Sequence, residues 1–142
     1  MKHRLFVTLL LSLVSLNALR SGEPFRGRFV AQDLDIKMVL DLYSESIEVP
    51  GLEMFGPLNG YLKGKDLYCT WYVSTIRQCD DKKAVVHFSN DFGSETQPVE
   101  LSWETDSVLT MREVNGAVLK KVVGKKLVKL PTTFKFKREF SE

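Results

Sequence analysis

Few side chains in this 142-residue chain have the type and spacing to do chemistry, and most of them fall in one stretch. Cys69 and Cys79, the only cysteines, stand ten positions apart in "LYCTWYVSTIRQC". Asp80-Asp81 follow directly, and His87 is the one histidine beyond the N-terminal segment. There is no Cys-x-x-Cys redox pair, and a metal site would need more closely spaced ligands than a lone histidine provides. A disulfide is the remaining chemistry. Ten residues of one strand span about 33 Å at ~3.3 Å per residue, whereas a disulfide requires Cα atoms about 4.4–6.8 Å apart. Pairing therefore needs a chain reversal near Ser74. Val73-Ser74-Thr75 carries no turn-forming Gly, Pro, Asn or Asp, while "DDKK" just after Cys79 does. An oxidising compartment favours disulfides; the local turn chemistry opposes this one, and two free thiols are expected.

The other candidates read as structure. His87 in "VVHFS" alternates with Val86 and Phe88, which predicts a solvent-facing strand residue rather than a base or ligand. Asp80-Asp81 reads as a polar turn, not as a general acid–base pair. No Gly-x-Ser-x-Gly, phosphate-cradling glycine loop or His-Glu-x-x-His occurs. The chain is read as non-enzymatic, with no catalytic residues, no cofactor and no metal site.

The elements around these residues follow a period of two. "IKMVLDLY" puts Ile36, Met38, Leu40 and Leu42 on one face, with Lys37 and Asp41 on the other. "VELSW" separates Val99, Leu101 and Trp103 from Glu100 and Ser102, and "FKFKR" alternates Phe134 and Phe136 with Lys135 and Lys137. Turn signals punctuate the runs: "KGKD", "DDKK", "ETDS", and Asn115-Gly116, which predicts a hairpin between "VLTMREV" and "AVLKKVV". The expected strands are 26–33, 36–43, 46–49, 58–63, 67–77, 84–89, 98–103, 107–114, 117–123 and 132–138. Eight to ten short strands without a convincing helix predict an all-β fold. The expected architecture is an antiparallel up-and-down β-barrel, with a β-sandwich as the alternative. Trp71, Phe88, Trp103, Phe134 and Phe136 fall on inward faces, where they either fill the interior or line an apolar, ligand-binding cavity.

At the N-terminus, Lys2, His3 and Arg4 precede an apolar run from Leu5 to Leu16 and the small residue Ala18. This is the layout of a secretory signal peptide. It predicts a leader over 1–21, one domain over 22–142 and an exported protein, periplasmic or secreted. The chain carries 20 basic and 18 acidic residues; loss of the first 18 residues, ending at Ala18, takes Lys2 and Arg4 and leaves 18 of each. Near-neutrality gives no reason to expect nucleic acid as a partner. The charge is nonetheless uneven. Residues 117–142 hold eight basic and two acidic residues, against one and six over 89–116. Such asymmetry could draw the chain to lipopolysaccharide or another polyanion, unless neighbouring strands compensate each other.

"FRGRFVAQDL" followed by a meander of strands resembles the start of a calycin barrel, the lipocalin-like superfamily. In that family a Gly-x-Trp opens the first strand, and a basic residue on the last strand packs across the Trp. Here Gly27-Arg28-Phe29 would take that place, with Phe for Trp, and Lys137 or Arg138 would supply the base. The chain is most similar in kind to small lipocalin-like domains of bacterial cell-envelope proteins. The resemblance implies an apolar or amphipathic small molecule or lipid in the barrel mouth. A competing reading is an interaction or inhibitor module that docks on an envelope or host protein through loops 50–60 and 89–98, which carry Met54, Phe55 and Phe92.

Overall fold

A computed structural model describes residues 23–140. The predicted leader lies outside the described residues. Ten strands follow in chain order: β1 (Arg26–Ala31), β2 (Ile36–Asp41), β3 (Gly60–Gly64), β4 (Trp71–Cys79), β5 (Lys83–Asn90), β6 (Thr96–Trp103), β7 (Val108–Glu113), β8 (Lys120–Val123), β9 (Lys126–Lys129) and β10 (Thr133–Glu139). Eight of them close a barrel in the order β1-β10-β7-β6-β5-β4-β3-β2, while β8 and β9 form a separate two-stranded sheet. Every neighbouring pair is antiparallel. The architecture is the expected closed up-and-down barrel, not a sandwich. Closure leaves no barrel strand with an open edge to template aggregation.

The period of two does the packing. Phe29 and Ala31 on β1, Ile36, Met38 and Leu40 on β2, Val99 and Leu101 on β6, Leu109 and Met111 on β7, and Phe134 and Phe136 on β10 all enter one core cluster. Met38, Leu62, Phe88, Val99, Leu101, Leu109, Met111 and Phe136 have 0% exposure. None of these side chains therefore borders a space that a water-sized sphere could occupy. Outward positions carry the charges, including the Lys83–Glu100, Arg112–Glu100 and Lys135–Glu104 pairs at 3.3, 2.9 and 3.0 Å.

Several expected boundaries move, each for a local reason. The strand expected over 67–77 begins only at Trp71, because Cys69 adopts φ 72° and breaks the extended run. Residues 46–49 contribute a single bridge, Ile47 to Leu58, instead of a strand. Asp41, expected on the solvent face, is buried. Its carboxylate accepts the Tyr43 and Ser44 N–H groups at 3.1 Å and the Ser46 hydroxyl at 2.6 Å, which caps the exit from β2. The hairpin expected at Asn115-Gly116 does not join its flanking runs. Both edges of β7 are taken, by β6 and β10, so the turn, with φ 58° and 109°, leads the chain out of the barrel. β8 pairs instead with β9, an element the expected strands did not include.

Candidate functional site

The barrel has two mouths. One gathers the N-terminal segment, the 42–59 and 80–82 connections and the end of β10, and is termed the Arg138 mouth. The other gathers the 32–35, 65–70, 91–95 and 114–132 connections and is termed the hairpin mouth.

At the Arg138 mouth, Phe25, Phe29 and Trp103 converge, with ring centroids 6.4 Å (Phe25–Trp103) and 5.8 Å (Phe29–Trp103) apart. The Arg138 guanidinium lies 5.1 Å from the Phe29 centroid and 4.9 Å from that of Trp103. Its Nη1 donates to the Arg26 carbonyl at 3.0 Å and its Nη2 to the Pro24 carbonyl at 2.9 Å. Both terminal nitrogens of the guanidinium thus tie the last strand to the segment entering the first. Of the two basic residues the resemblance offered, Arg138 packs across the first-strand aromatic; Lys137 follows the outward alternation. Trp103 is half-buried, and its indole N–H has no hydrogen-bond partner among the described residues.

The other aromatic candidates are interior. Trp71 is buried, and its Nε1 donates to the Tyr68 carbonyl at 3.0 Å. Phe88 lies in the same core, and the Phe134 and Phe136 rings meet at a tilt of 48°, 5.4 Å between centroids. These residues share one packed cluster with aliphatic neighbours.

The hairpin mouth carries the polar interior positions that sequence reading missed: Asn90, Gln97 and Glu113, all buried. Asn90 Oδ1 accepts the N–H groups of Ser94 (2.9 Å) and Glu95 (3.1 Å), which closes the 91–95 turn tightly. Half of the loop expected over 89–98 is therefore strand, 89–90 belonging to β5 and 96–98 to β6. Gln97 Nε2 donates to the Pro98 and Gly116 carbonyls, and its Oε1 accepts the Val118 N–H at 2.8 Å, pinning the chain where it leaves the barrel. Glu113 is different: both carboxylate oxygens are buried without a hydrogen-bond partner among the described residues. Burial pushes its carboxyl up to about 7, while the Leu119 N–H and the Lys129 ammonium pull it part of the way back. An inward residue at the end of β7 continues the Leu109, Met111 alternation, and that signal could have found it.

Beyond this mouth stands the β8–β9 hairpin. Leu119 and Leu130 are buried in the core cluster and root it. Its flank is held by hydrogen bonds from Tyr68 N–H to the Lys120 carbonyl and from Val122 N–H to the Asp66 carbonyl. From Val122 onward both strands are exposed on both faces. Beside it, Tyr68 and Phe92 pair at 6.4 Å, Phe92 being 71% exposed.

Phe55 and Met54 lie in the 42–59 connection, which belongs to the other mouth. Phe55 leans on Tyr72 of β4 at 5.7 Å. The two loops singled out from the sequence thus leave opposite ends of the barrel and rest on different neighbours. On the outer wall of β1–β3, Val30, Lys37, Tyr61, Lys63 and Lys65 line a solvent-open cleft of about 360 Å³.

The residues that first suggested chemistry lie on or beside β4 and β5. Cys69 and Cys79 flank the two ends of β4 and are free. Burial pushes the Cys69 thiol up to about 11, aided by Asp91, and burial also raises that of Cys79, so neither is an activated thiolate. The Asp80 carboxylate accepts the Lys82 and Lys83 N–H groups at 2.9 Å and caps the β4–β5 turn, which holds its carboxyl below the usual range. His87 is half-buried on the outer face of β5. Among the described residues, no group of three or more His, Cys, Asp or Glu is arranged to hold a metal ion. Compared with protein-family models, with curated proteins and with solved structures, the chain matches none.

Proposed function

We propose that this protein is an exported, non-catalytic docking module: a packed barrel that serves as a rigid stem and presents apolar side chains from its connections to a larger surface. The observation that carries this reading is the contrast between interior and periphery. The inward side chains, Phe88 and Phe136 among them, are sealed at 0% exposure, whereas Met54 and Phe92 in the connections are more than 70% exposed. Preformed ligand pockets keep lining atoms accessible; here the accessible apolar atoms are outside. Export remains part of the proposal on the strength of the leader-like Lys2–Ala18 segment. The Arg138 clamp over Phe29 supports kinship with lipocalin-like barrels of the calycin type, and that kinship is likewise proposed.

A second reading, an amphipathic ligand held through the hairpin mouth, draws on Glu113. An unpartnered buried carboxylate is costly, and a ligand donor reaching it would relieve that cost. Trp71, Phe88, Phe134 and Phe136 would then have to part to admit the apolar portion. Native mass spectrometry of the purified protein separates the readings. The docking reading expects the mass of the bare chain; a stoichiometric adduct of lipid or small-molecule mass would overturn it.

A further inference from the structure

We propose that the β8–β9 hairpin is a membrane-surface anchor whose partner is a bilayer containing anionic phospholipid; the inference rests on the docking reading and names its partner at the hairpin mouth. Residues 120–129 include five lysines and no acid. Of the acids of 89–116, Asp91 and Glu95 lie in the turn at this same mouth and the rest on the barrel or its far end, while among the described residues the hairpin backbone pairs only with itself and with 66–68. No hairpin lysine has an acidic partner within 4.0 Å among the described residues. Glu113, beneath Lys129, is buried, and Asp66 meets the hairpin through its backbone carbonyl.

The apolar half of the argument is the cross-strand register. Lys120 faces Lys129 and Val122 faces Leu127 on one side; Lys121 faces Val128 and Val123 faces Lys126 on the other. Each side of the hairpin therefore mixes aliphatic side chains with lysines, and Val122, Val123, Leu127 and Val128 are all exposed. A soluble polyanion would engage the lysines and leave these four in water. At the boundary between headgroups and acyl chains, the aliphatic groups enter apolar surroundings while lysine stems extend to lipid phosphates. The Tyr68–Phe92 pair lies at the same barrel mouth, and the amphipathic Tyr68 ring favours that depth. A two-stranded hairpin alone is marginal in water. This one is rooted by Leu119 and Leu130 and braced by 66–68, so its exposed tip is held out ready-formed.

The test is vesicle co-sedimentation of the leaderless protein, phosphatidylcholine with phosphatidylglycerol against phosphatidylcholine alone. Binding is expected only to the anionic vesicles, weakening as salt is raised. Lys125→Glu with Lys126→Glu should reduce the affinity by about 30-fold or more. Val123→Ser with Leu127→Ser, which leaves every charge in place, should also reduce it. In a Val123→Trp variant the added indole should shift its emission to the blue on the anionic vesicles, a readout independent of any loss of fold. Equal binding to both vesicles, no binding to either, or anionic binding untouched by the double Ser variant would each overturn the proposal. The last result, together with equal affinity for soluble polyphosphate, would mark a polyanion site. Failure here leaves the native mass of the protein as the separate test of the docking reading.

Discussion

Trp71 and Trp103 sit at opposite mouths of the barrel and differ in what holds them. Trp71 is buried with its indole N–H bonded to Tyr68, while Trp103 is half-buried under Arg138 with its N–H unpartnered. Replacing Trp71 with Ala should cost about 3–5 kcal/mol, as for other large aromatic core deletions. Replacing Trp103 should cost less, because part of the ring already faces solvent and no hydrogen bond is lost. Urea unfolding of the two variants measures this, and equal losses would contradict the assignment. Both tryptophans were readable as inward from alternation alone. Their unequal depth was not, because alternation gives a face and says nothing of how close a residue lies to the barrel rim. The cysteines, free in the structure, were legible for a complementary reason: the missing turn former between 69 and 79 opposes the reversal that a disulfide requires. Glu113 is hidden in the sequence because a charged residue within an alternating run looks like an interruption of the pattern rather than an inward position.

Strand rhythm was written in the sequence wherever one face meets the core and the other meets water, as on β6 and β10. It failed where that contrast is absent. β9, "KLVK", is exposed on both faces and so shows no burial period. The Asn115-Gly116 turn has the right chemistry for a hairpin, but the closure of β7 between β6 and β10 leaves no edge for the partner. The junction of β2 and β3 depends on a close backbone approach at Gly60, which adopts φ 147°. A Cβ there would collide with the Val39 carbonyl oxygen and crowd the Leu40 side chain at 2.9 Å. Gly60→Ala should therefore cost about 2 kcal/mol or more, combining backbone strain with a displaced strand pair. Hydrogen exchange would locate the damage in β2 and β3. A variant as stable as the parent would contradict the register.

For the molecule as a whole, a sealed core with one unpartnered carboxylate has a consequence for pH. The Glu113 carboxyl is raised from 4.5 to about 7 by burial, so the folded state holds a proton that the unfolded state has released over this interval. Stability from this group is intact below about pH 4.5 and falls as pH rises through about 7. Glu113→Gln removes the titration while keeping the shape. The difference in melting temperature, variant minus parent, should therefore grow between pH 4.5 and 7 and level off above. A constant difference would show that the carboxylate is hydrated or paired in the fold.

That the interior is filled, and that binding belongs to the outside, is tested most directly by the indole inside it. Two tryptophans occur in the chain, so Trp103→Phe leaves Trp71 as the sole indole, buried among the core side chains. Titrating this variant with an apolar fluorescent probe while following Trp71 emission should give no saturable quenching and no rise in melting temperature. Saturable quenching accompanied by a rise in melting temperature, abolished by Phe88→Ala in the same background, would show that the barrel opens to a ligand and contradict the account.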